Sequence, residues 1–124
     1  MSYILDGMSA SSDSGAPGAW TFLSNYTHVL VCLARNPDTR LRDISASVGI
    51  TERAAQRIVG DLEAAGVITR TKDGRRNHYE VEIDAPLRHP LECTATVGNL
   101  LSLFLEPREA RALGLRSRMR ARSA

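Results

Sequence analysis

The sequence predicts one mainly α-helical domain with a small β-hairpin and an added C-terminal helix. Three observations carry that expectation. Apolar residues recur every three or four positions before Gly66, the period drops to two after it, and Asp73-Gly74 stands between two alternating runs. A chain of 124 residues supports a single core and little beyond it.

Taken in order, residues 1–19 include LDGMSASSDSGAPGA, which is small, polar and without period, and is expected to be a flexible arm. Ser24 can cap a first helix whose residues Tyr26, Val29, Leu30, Leu33 and Ala34 turn inward, ending before Asn36-Pro37. LRDISASVG gives a short second helix with Ile44 and Val48 inward, stopped by Gly49. Thr51 caps a third helix with a buried stripe of Ala55, Ile58, Val59, Leu62 and Ala65, ended by Gly66. Two helices three residues apart form a helix-turn-helix. VITRTK and RNHYEVEI then form the hairpin, with Tyr79, Val81 and Ile83 inward and Glu80, Glu82 and Asp84 outward. The two prolines of PLRHPLEC, residues 86–93, predict an extended segment. Thr96 can cap a helix over residues 97–105, and Pro107 can open a last one.

Charge is unevenly placed. The formal net charge is only +2, yet residues 1–34 hold no Lys or Arg, and residues 107–124 hold six Arg against one Glu. Fifteen of the sixteen cations are Arg, a residue suited to bidentate contacts with phosphate or guanine. Residues 116–124 are expected to be a basic tail that adds only screened, sequence-blind attraction. Two cysteines, Cys32 and Cys93, are too few for a disulfide framework, and no signal peptide or membrane-length apolar run is visible. The expectation is a cytoplasmic protein with no membrane association.

The stretch LRDISASVGITERAAQRIVGDLEAAGVITR resembles the winged helix-turn-helix transcription regulators of prokaryotes, in general look the MarR and ArsR families. Ile44, Val48, Gly49, Ile50, Ala55 and Ile58 occupy the packing and turn positions of that motif, and LEAAGVI is the phrase that enters the wing. Ser45 stands where a small Ala is usual, and fits by size. The resemblance covers roughly residues 20–84 and implies a winged helix-turn-helix that binds double-stranded DNA as a homodimer. Residues 85–115 would then be an extended segment followed by dimerisation helices. There is no ArsR-like cysteine pair for a metal, and no small-molecule effector is assigned.

If the third helix enters a major groove, only the side opposite its apolar stripe can meet base edges. That side carries Thr51, Glu52, Arg53, Gln56 and Arg57. Gln56 suits adenine and Arg57 guanine; Arg53 can reach bases or phosphate, and Glu52 can accept from cytosine or orient Arg53 or Gln56. A polar helix side is otherwise a solvated face. Lys72, Arg75, Arg76 and Asn77 surround the hairpin tip and suit the backbone or minor groove, where the alternative is a basic tip that only aids solubility. Arg42 can add a phosphate contact near a helix N-terminus, unless it pairs with Asp43 or Asp38. Val97, Leu100, Leu101, Phe104 and Leu105 form an apolar face that is expected to hold a dimer together.

His28 and Cys32 stand at four-residue spacing on the first helix as possible metal ligands, but Cys32 is expected to face the core; no metal or cofactor is expected. There is no Gly-rich phosphate loop, nucleophile elbow or carboxylate pair on an apolar background, so an enzyme is not expected. Residues 50–79 hold six cations and four acids, a modest basic bias. Two other readings therefore stand beside the regulator: a winged helix that binds protein, and an architectural or replication accessory protein that uses its Arg-rich tail on DNA non-specifically.

Overall fold

A computed structural model describes residues 19–115. The expected basic tail and nearly all of the expected arm lie outside that range. Seven elements follow in order: α1 (Asn25–Arg35), α2 (Leu41–Val48), α3 (Glu52–Ala64), β1 (Ile68–Asp73), β2 (Arg76–Val81), α4 (Val97–Ser102) and α5 (Pro107–Ala112). The mainly helical class with one antiparallel hairpin is what the periodicity predicts, and it has the form of a winged helix-turn-helix. No helix among the described residues is long and apolar enough to cross a membrane.

Local signals explain where the helices begin. Ser24 accepts a bond from Tyr26 N, and Thr51 accepts one from Ala54 N at 3.0 Å, each satisfying an amide with no partner inside its helix. Gly49 ends α2 at φ 87°, a left-handed conformation that a side chain would strain, and only two further residues separate it from α3. Val29 and Leu33 of α1, Ile44 of α2, Ala55 and Ile58 of α3, and Ile68 and Tyr79 of the hairpin meet in one core. Ser45 is buried there as well, its Oγ donating to Arg42 O at 2.8 Å, so its hydroxyl is satisfied without leaving the helix.

Two positions depart from the expected stripes. Tyr26 is 38% exposed, because its ring leaves the core and its hydroxyl reaches α3. Ala65 is exposed, since α3 stops at Ala64 and the chain turns through Gly66 at φ 78°.

Beyond the hairpin the backbone doubles back. Instead of running extended over residues 86–93, the chain pairs only near Pro86, which bridges to Thr96, and turns across residues 88–95. Leu87 N donates to Ala95 O, Val97 N to Ala85 O, and Gly98 N to Ile83 O. The reversal returns Val97 and Leu101 to the core. Gly98 is required at this seam: a Cβ there would lie 2.9 Å from Ile83 O and 2.8 Å from a Leu115 methyl. Thr96 caps α4 as expected, in a reciprocal box with Asn99. The helix is shorter than residues 97–105. Ser102 Oγ donates back to Asn99 O, and Leu103 N turns to Leu100 O, tightening the chain out of the α-helix. Pro107 opens α5 as expected.

Candidate nucleic-acid interface

The helix-turn-helix presents one side of α3 outward because the other side is fully engaged. Ala55, Ile58, Val59 and Leu62 are buried. The same spacing leaves Thr51, Glu52, Arg53, Gln56 and Arg57 exposed, joined by Gly60 one turn later. Among the described residues the ion pairs are Arg35–Glu109, Arg70–Glu63, His78–Asp38 and Arg108–Glu106. Arg53 and Arg57 belong to none of them, so Glu52 does not hold Arg53 in an ion pair.

Tyr26 is the residue of this region that periodicity misses. Its hydroxyl donates to Asp61 Oδ2 at 2.5 Å, tying the first turn of α1 to the last third of α3. Burial raises the Tyr26 pKa, the Asp61 hydrogen bond and charge raise it further, and nearby Arg57 opposes them. The phenol therefore remains a donor across the neutral range. No local pattern announces such a pairing between residues 35 apart.

The hairpin divides the residues that the sequence groups at its tip. In the observed register Ile68 faces Val81, Arg70 faces Tyr79, and Lys72 faces Asn77, all on the face that continues from the core. Arg76 and His78 lie on the other face. Arg75 follows Gly74, whose φ of 67° makes the tight turn. Lys72, Arg75 and Arg76 are exposed and free of ion pairs among the described residues. Asn77 is half-buried, its Nδ2 donating to the Tyr79 hydroxyl at 3.4 Å. Arg70, Lys72 and Asn77 line a shallow cleft of about 230 Å³. Arg70 is not among the residues that the sequence pattern singles out; its place two residues before Lys72, on the same face, is the signal that could find it.

The wing is anchored at its base. Tyr79 N donates to Pro37 O at 2.9 Å, and His78 Nδ1 meets Asp38 Oδ1 at 2.8 Å. The Asp38 hydrogen bond, with the charges of Asp38, Glu80 and Asp73, lifts the His78 pKa above its ordinary 6.5. Asp38 is thus taken by the wing, and Arg42, exposed in the first turn of α2, has no ion pair among the described residues.

The face expected to hold a dimer is largely enclosed by its own chain. Val97, Leu101 and Leu105 are buried in the core, which removes them from any surface. Leu100 is half-buried, and Phe104 remains 39% exposed beside Leu103 at 54%. Arg35 ties this turn to α1 by donating to Phe104 O at 2.9 Å. Phe104 also borders an open groove of about 470 Å³ with Leu23, Val31, Val48, His28 and Cys32. His28 Nδ1 lies 3.0 Å from Asn25 Oδ1, and burial lowers its pKa while raising that of the Cys32 thiol. Cys32 is half-buried rather than a core residue. Among the described residues no three His, Cys, Asp or Glu side chains gather where a metal could be held. Cys93 is exposed, its thiol directed at Pro90 O.

Comparison with curated proteins finds no match. Residues 27–69 match the family model described as winged helix-turn-helix DNA-binding. The match runs from α1 through α2 and α3 into β1, so it covers the buried stripe and exposed side of α3 together and supports DNA binding by this part of the chain.

Proposed function

We propose that the chain is a sequence-specific double-stranded DNA-binding transcription regulator that acts as a homodimer, with α3 in the major groove and the wing on the backbone or in the minor groove. The observation that carries this reading is the exposed side of α3: Arg53 and Arg57 have no ion-pair partner among the described residues and Gln56 is exposed beside them, while Ala55 and Ile58 of the same helix are locked into the core. Kinship with the MarR and ArsR regulators, a cytoplasmic location and a non-enzymatic role belong to the same proposal.

Selection from random duplexes followed by titration at several salt concentrations tests it. Gln56→Ala or Arg57→Ala flattens preference at one base pair, by about 1–3 kcal/mol of discrimination. Arg75→Ala or Arg76→Ala weakens all sequences nearly alike and reduces the salt slope by about one for each phosphate that is no longer neutralised. The opposite pattern, wing variants changing base preference and α3 variants leaving it intact, would make α3 a protein-binding surface. Support for the homodimer comes from Leu103 and Phe104, large apolar side chains left exposed, with Phe104 at the border of a groove that also holds Leu23, Val31 and Val48. Twofold symmetry then gives a pseudopalindromic site with half-sites about one turn, roughly 10 base pairs, apart. Sedimentation of the wild type as a monomer at micromolar concentration removes the dimer; Phe104→Asp is expected to weaken it.

A further inference from the structure

Arg57 and Asp61 stand one helical turn apart on α3, a spacing at which a guanidinium and a carboxylate are neighbours. Gly60 between them offers no side chain to separate the two, and open space lies above it. Yet Arg57 is in no ion pair among the described residues. Asp61 is engaged elsewhere: its Oδ2 accepts the Tyr26 hydroxyl at 2.5 Å. Burial does not account for the position of Tyr26, which is 38% exposed at the start of α1.

We infer that Tyr26 is a positioning residue for base reading: by taking Asp61 Oδ2 it weakens the carboxylate's hold on the Arg57 guanidinium and leaves that group free to reach a base edge. The inference rests on α3 being the base-reading helix. A carboxylate beside a reading arginine competes with the base for the same donors, and it competes best when DNA has excluded water from around the pair. A second cation could neutralise Asp61, but it would also attract every phosphate and dilute sequence preference. A phenol donates one hydrogen bond without adding charge. It comes from α1, which the core fixes relative to α3, so the donor is in place before DNA arrives.

The test compares wild type with Arg57→Ala, Tyr26→Phe, Asp61→Ala and the Tyr26→Phe/Asp61→Ala double variant on a selected site and its single-base variants. The readout is the affinity ratio at the base pair whose preference Arg57→Ala abolishes. Tyr26→Phe is expected to reduce that ratio about two- to threefold, the strength of an exposed pair one turn apart, and to leave ratios at other positions unchanged. Asp61→Ala alone should keep the wild-type ratio, and the double variant should regain it. A plain structural brace behaves differently: Tyr26→Phe and Asp61→Ala then lower affinity alike, without rescue, and that result overturns the inference. So does an unchanged ratio in Tyr26→Phe when Arg57→Ala has abolished it. If Arg57→Ala itself leaves every ratio intact, the base-reading role of Arg57 fails first and the role of Tyr26 falls with it, while Gln56→Ala still tests α3 separately. Thermal melting of each variant separates lost folding from lost reading, and Asp61→Ala gives its answer even if Tyr26→Phe melts early.

Discussion

The polar side of α3 and the apolar side of α4 both look, in the sequence, like surfaces that want a partner, and the fold treats them oppositely. α3 keeps Arg53, Gln56 and Arg57 outside, whereas Val97 and Leu101 of α4 disappear into the protomer. The difference lies in what each pattern requires. An apolar stripe states that burial must occur and leaves open which surface supplies it. A cationic side opposite a fully buried stripe is turned away from the rest of its own fold.

The sharpest way to break this comparison is at Leu101, which is 0% exposed. Leu101→Ala is expected to cost about 2–5 kcal/mol through lost transfer and a residual cavity. Leu101→Asp should cost more and abolish cooperative melting, because it buries a charge without a partner. A Leu101→Asp protein that melts like wild type and sediments as a monomer would return α4 to the dimer interface. Next in size is Gly98→Ala, where the new methyl meets backbone at the α4 seam; about 1–3 kcal/mol should be lost in thermal melting. Base preference should survive in the folded fraction, since the atoms that the methyl meets belong to Ile83 and Leu115 and none to α3.

A smaller effect of opposite sign is expected on α3. Gly60→Ala places a methyl in open space within a helix, so it should raise stability by about 0.5–1 kcal/mol. Binding then sharpens the contrast: a variant that melts higher yet binds DNA more weakly marks Gly60 as a point of close approach. The smallest effect belongs to the wing anchor. His78 has a raised pKa in the folded protein, so its contribution is fully present below its unfolded value of 6.5 and is lost as pH rises through the raised one. Amide exchange at Tyr79 should quicken across that window, beyond its intrinsic pH dependence. Asp38→Asn should remove the excess; if the excess persists, the His78–Asp38 contact does not anchor the wing.

What the sequence makes legible is what short-range chemistry decides. Ser24, Thr51 and Thr96 each cap the helix expected of them, Gly49 and Gly66 carry the left-handed turns, and the hairpin forms around Asp73-Gly74. The exposed side of α3 follows from the same arithmetic. Features that depend on distant partners are not visible in it. Tyr26 fits the stripe of α1 by spacing, yet it stands 38% exposed with its hydroxyl on Asp61, 35 residues away. Asn77 belongs to the tip by position but is turned toward Tyr79 by the pleat. The prolines at 86 and 90 forecast an extended run, and the need to bury Val97 and Leu101 folds it back.

The bond from Tyr79 N to Pro37 O has a further consequence for a hairpin of only two strands. Such a ribbon has two unpaired edges, each able to template pairing with another molecule and so to seed aggregation. Pro37 occupies part of one edge and, having no N–H, cannot pass the ladder on. On the other edge no backbone bond from outside the hairpin reaches β1 among the described residues, and Arg70 and Lys72 stand along it. A second copy approaching in register would bring like charges together, so two of the wing's cations also guard its open strand against its own kind.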